Sequence, residues 1–184
     1  MNSKNKIILS MTLFTLLFLI LLCLLFTSSI VLKNDLALAN EKEKTNSSYQ
    51  EYTKYIPFPK ELKIYEVYPW EMLNLSNFAK SYSALIGSRV KDNWLRLLDG
   101  PSSKNKMVTT PQGDFIIVHS CKQHYCDTHF ILILFNPANC QSRAMLAENG
   151  KIFWLGNPDN EMTLLLKKIG KVTWPNIPSN RFNQ

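Results

Sequence analysis

At 184 residues, with 46% hydrophobic residues and a formal net charge of +7, the chain is long enough for one packed domain and too apolar for a disordered one. Its basic residues form no dense run and its aromatics do not interleave with arginine, which argues against a nucleic-acid platform. Gly-x-Ser-x-Gly, phosphate-loop and His-Glu-x-x-His patterns are absent and no carboxylate pair stands out, so neither an enzyme activity nor a cofactor is expected.

The first 39 residues read as an export segment. Lys4 and Lys6 precede an apolar run from Ile7 to Phe26, and Ala37-Leu38-Ala39 has the small-x-small form of a cleavage site. The run is also long enough to span a bilayer, so an uncleaved inner-membrane anchor over residues 7–26 is the alternative to a signal peptide. Either way the rest of the chain is expected in the periplasm, an oxidising space. Residues 40–69 read as a lead-in: Asn40 to Lys54 is polar and charged, and the following stretch to Trp70 is rich in Pro and aromatics. Within it Leu62, Ile64 and Tyr68 suggest a short extended piece.

The domain proper is expected over residues 70–184. Apolar residues at Leu75, Phe78, Ala79, Tyr82, Leu85 and Ile86 keep a helical period and predict a helix over Leu73–Ile86, with Ser76 as a cap and Gly87 as its stop. A short apolar patch, Trp94 to Leu98, ends at the turn signal Asp99-Gly100-Pro101. Five strand-like runs follow: Lys106–Thr110, Asp114–Ser120, Thr128–Phe135, Gln141–Glu148 and Lys151–Gly156. Short links between them, including the hairpin signal Asn149-Gly150, predict an antiparallel meander. Phe130–Phe135 is apolar without alternation, as for a central strand covered on both faces. A second helix is predicted over Asn160–Ile169, stopped by Gly170. The fold class is therefore α+β, a meander of about five strands with helices packed against it.

The chemistry concentrates between the second and third runs. All three histidines, His119, His124 and His129, fall within eleven residues that also hold Cys121 and Cys126. Oxidising conditions favour a disulfide between these neighbouring cysteines, which would close a small ring and hold Lys122, Gln123, His124 and Tyr125 outward. Such a preorganised loop binds without the full cost of ordering its side chains. The same residues are also the right types for a zinc site, and a metal-binding envelope protein is the alternative reading, although the ligand candidates crowd into one hairpin. A catalytic Cys–His pair needs a free thiolate, which a disulfide removes. Cys140 is left over, expected as a partly buried thiol or as a link to a second copy of the chain.

At this loop the sequence resembles the Ivy family, bacterial inhibitors of vertebrate C-type lysozyme. The family motif is Cys-Lys-Pro-His-Asp-Cys, and this chain has Cys121-Lys122-Gln123-His124-Tyr125-Cys126. The order of elements over roughly residues 70–170 fits as well. The resemblance implies an antiparallel sheet with packed helices, a Cys121–Cys126 disulfide, and a protruding loop whose His124 contacts the two catalytic carboxylates of the enzyme. Its role would be protection of peptidoglycan. Gln123 in place of proline loosens the loop, and Tyr125 in place of aspartate removes a carboxylate beside the histidine. The basic charge opposes long-range attraction to a basic lysozyme. A bacterial lytic transglycosylase is accordingly an alternative target.

Overall fold

A meander needs each strand to pair with the next, and the observed sheet does so throughout. The structure, a computed structural model, describes residues 54–89 and 91–183. Residues 1–39 lie outside the described part, and with them the export segment. Five antiparallel strands stand in sequence order: β1 (Lys106–Thr110), β2 (Gly113–Cys121), β3 (Phe130–Asn136), β4 (Gln141–Glu148) and β5 (Lys151–Leu155). The register aligns Ile117 of β2 with Lys106 and Leu134, and Leu132 of β3 with His119 and Met145.

Alternation along the strands divides the apolar residues between two cores. On one face Ile116, Val118, Ile131, Ile133, Phe135 and Leu146 meet α2 (Ser76–Ile86) through Phe78, Tyr82 and Ile86. On the other, Ile117, Phe130, Leu132, Leu134 and Met145 meet α4 (Asn160–Thr173) through Met162, Leu165, Leu166 and Ile169. β3 serves both cores, and all seven of its residues are buried, which accounts for its unbroken apolar run. Asn149 and Gly150 both have positive φ, as the tight β4–β5 turn demands.

Some expected elements differ. The chain before α2 forms its own short helix, α1 (Pro69–Met72), in which Pro69 opens the helix and the Glu71 carboxylate accepts from the Tyr68 N–H at 2.8 Å. Backbone bonds from Asn74 to Glu71 and from Leu75 to Met72 then carry it straight into α2. Leu75 therefore holds the cap position, and Ser76 is already helical. Lys60–Tyr65 forms a 3-10 helix in place of an extended piece, because Pro59 presets the entry and its carbonyl accepts from the Leu62 N–H. The Trp94 patch is a short helix, α3 (Asn93–Leu97). α4 does not stop at Gly170 but continues to Thr173. A Cβ at Gly170 would lie 2.7 Å from the Met145 side chain and 2.9 Å from Phe182. The glycine is there for close packing, which offsets its helix penalty of about 1 kcal/mol.

Candidate functional site

The β2–β3 connection is built as two stacked turns tied by a disulfide. Lys122 N–H donates to the His129 carbonyl at 2.9 Å and continues the ladder one step past the strands. Tyr125 N–H donates back to the Lys122 carbonyl at 2.9 Å, closing a turn with Gln123 and His124 at its centre. Thr128 and His129 N–H groups both donate to the Tyr125 carbonyl, at 3.0 and 2.8 Å. Cys121 and Cys126 are bonded, with Cα atoms 4.9 Å apart. A ring this small restricts the unfolded chain by roughly 2 kcal/mol.

His124 has φ of +68°, in the left-handed region. Histidine is one of the few residues enriched there, yet the conformation still costs more than it would for glycine. The backbone is thus held against its preference at an exposed residue in the centre of the turn. Gln123, His124 and Tyr125 are all exposed, Tyr125 by 54%. Lys122 is half-buried. Its ammonium lies 3.7 Å from the Asp92 carboxylate and 5.7 Å from the centre of the Tyr125 ring.

The stem of the loop rests on a segment that sequence reasoning took only as a turn. A Cβ placed on Gly100 would fall 1.7 Å from the Cys121 carbonyl oxygen and 3.1 Å from Ser120 Oγ. Only glycine permits that approach, so Gly100 sets where the ring stands. A groove of about 390 Å³ runs between the two, with Lys122, Gln123 and His124 on one side and Asp92, Trp94 and Asp99 on the other. Trp94 Nε1–H donates to the Asp92 carboxylate at 3.3 Å, which fixes the carboxylate facing Lys122. The opposite stem is held by Arg181, whose guanidinium donates to the Asp127 carbonyl at 3.4 Å. Asp92 and Arg181 carried no motif. Gly100 had a signal in Gly-Pro, but that signal does not reveal what the glycine faces.

The three histidines do not converge. His119 lies within β2 and turns toward the α4 side, its Nε2 3.0 Å from Ser103 Oγ and its ring edge-on to Trp174 at 5.6 Å. Burial, helped by the nearby Lys106 charge, pushes its pKa down to about 4. His129 begins the return stem, with Nδ1 3.0 Å from Thr128 Oγ1. His124 stands at the tip. Among the described residues no three His, Cys, Asp or Glu side chains are grouped to hold a metal. Cys121 and Cys126 are joined to each other, so neither offers a free thiolate to a metal. Cys140 is a partly buried free thiol at the β3–β4 turn.

A family model described as inhibitor of vertebrate lysozyme (Ivy) matches residues 77–175, which takes in α2 from its second residue, the whole sheet, the loop and α4. No curated protein matches the sequence.

Proposed function

The chain belongs to the Ivy family of vertebrate lysozyme inhibitors, and from that membership we propose that it is an exported, non-enzymatic inhibitor that inserts the Cys121–Cys126 loop into the cleft of a C-type lysozyme. The observation that carries this reading is the tip itself: an exposed His124 at φ +68°, between exposed Gln123 and Tyr125, on a disulfide-closed ring seated on Gly100.

The chemistry follows from what the enzyme needs. A retaining glycosidase of this type works with one protonated and one ionised carboxyl group set a few ångströms apart. An imidazole between them offers two ring nitrogens, both donors when charged, and can engage both oxygens at once. The site is then filled and its proton arrangement disturbed without any covalent step. Rigidity matters because ordering a free loop costs about 0.5–1.5 kcal/mol per immobilised side chain. The loop's own turns and its disulfide have already met that cost. Lys122, held beside Asp92, flanks the histidine and shapes the approach.

In the test, purified protein is titrated into hydrolysis of bacterial cell walls by a C-type lysozyme, with His124→Ala in parallel. Wild type inhibits and His124→Ala loses the effect while staying folded. Absence of inhibition by wild type sinks the assignment to C-type lysozyme. The replacements at Gln123 and Tyr125 and the basic net charge favour one second target, a bacterial lytic transglycosylase, and the same titration on that enzyme decides between them.

A further inference from the structure

The loop from Cys121 to Cys126 is too small to hold an enzyme by itself. A stable protein interface covers about 800 Å² on each partner, drawn from roughly 20–30 residues a side. The exposed tip offers only Gln123, His124 and Tyr125. The rest of the contact must come from surface that runs on from the loop.

One such surface adjoins it. Asp99 lines the groove beside the loop, and it also lines a second groove of about 500 Å³ with Trp70, Leu73, Asn74 and Leu97. The two grooves therefore form one continuous surface, with His124 at one end and an apolar shoulder at the other. Two helices build the shoulder: α1 supplies Trp70 and α3 supplies Leu97, exposed by 41% and 37%. Trp70 is already restrained. Its ring lies flat against Tyr68, with centroids 4.6 Å apart and planes 8° apart. Tyr68 in turn is the cap residue of α1, its backbone N–H bonded to the Glu71 carboxylate. A side chain held in place loses little freedom on contact, and tryptophan is among the residues that most often carry interface energy. Asp99, between the shoulder and the loop, is exposed and forms no ion pair among the described residues. It sets an unneutralised negative charge on an otherwise basic chain.

We propose that this shoulder, Trp70 and Leu97 with Asp99, is a second contact for the enzyme whose cleft the loop enters. Trp70 and Leu97 pack on an apolar patch at the rim of the cleft, and Asp99 faces a cation there. The proposal rests on the inhibitor reading and adds to it a source of affinity outside the loop. The net charges of a basic inhibitor and a basic lysozyme repel, and an acid at the contact itself offsets that where the surfaces meet.

The test measures the inhibition constant and the association and dissociation rates of the full chain with a C-type lysozyme. Trp70→Ala also removes the stack on Tyr68, so Leu97→Ser and Asp99→Lys, both at exposed positions, are run beside it and keep the unfolding midpoint of wild type. Leu164→Ser, at an exposed leucine on α4, is the control. Trp70→Ala weakens inhibition by about tenfold or more, mainly through faster dissociation. Leu97→Ser weakens it severalfold, and Asp99→Lys slows association, most at low salt. Leu164→Ser changes nothing. Inhibition by wild type with the three shoulder variants unchanged overturns this proposal alone. So does an equal loss in Leu164→Ser, or a Trp70→Ala variant that alters self-association of the chain while its inhibition constant stays put, which would assign the shoulder to a second copy. No inhibition by wild type removes the inhibitor reading and the second contact with it.

Discussion

His119 and His124 are close in sequence on one hairpin, and the fold treats them oppositely. His124 rides a turn that forces its backbone into the left-handed region and leaves the imidazole in solvent. His119 sits in regular strand, paired with Leu132, its side chain half-buried and its pKa pushed down by the loss of water. One is a strained backbone with a free side chain, the other a relaxed backbone with a confined side chain. Chemical identity alone says little about a residue's role; the turn and the strand assign it. The disulfide lies between them, and Gly100 fixes its height.

The largest effect is therefore expected at Gly100, where the two environments join. Gly100→Ala places a methyl group inside van der Waals reach of the Cys121 carbonyl, and backbone must move on both sides. A loss of at least about 3 kcal/mol in denaturant unfolding is expected, together with weakened inhibition. An unchanged midpoint would show that the loop is not seated there.

Next comes the pH dependence of stability, which isolates His119. Its folded pKa of about 4 lies below the ordinary 6.5, so the folded state resists a proton that the unfolded chain accepts. The contribution is fully present above pH 6.5 and is lost as pH falls from there through about 4, to a total of up to about 3 kcal/mol. His119→Gln flattens that window, whereas His124→Ala leaves it in place. A profile indifferent to His119 would remove half of the comparison.

The smallest effect sharpens the other half. His124→Gly relieves the positive φ and is expected to be more stable than His124→Ala by about 1 kcal/mol in thermal unfolding. Both variants lose inhibition. If the two were equally stable, the tip would carry no backbone strain.

Much of the frame was legible in the chain. β1 and β4 run as their alternation and flanking turn residues indicate, and Asn149-Gly150 marks its hairpin because few other pairs accept two positive φ values. The loop was legible because its six residues are contiguous. What stayed hidden depends on distant partners. Gly170 reads as a stop until Met145 and Phe182 crowd against it, and Gly100 reads as a turn until Cys121 arrives at its Cα. The histidine cluster reads as a ligand set on paper because linear spacing conceals that His119 packs on Ser103 and Trp174 while His129 meets Thr128 and Tyr125. The surroundings of His119 need Tyr55, Lys106 and Trp174 brought together from three separate stretches, and no local pattern announces that.

The seven buried residues of β3 have a consequence outside the folded state. Phe130 to Phe135 is a six-residue window of high strand propensity with no charge, no proline and no glycine, the composition of a self-complementary fibril segment. In the native sheet both its edges are paired and both its faces are covered, so it is silent. A chain caught before β2 and β4 flank it presents that window to its neighbours. Refolding yield should accordingly fall with protein concentration, and a single lysine within the window would trade native stability for solubility. The same strand that anchors both cores makes unassembled chains prone to stick.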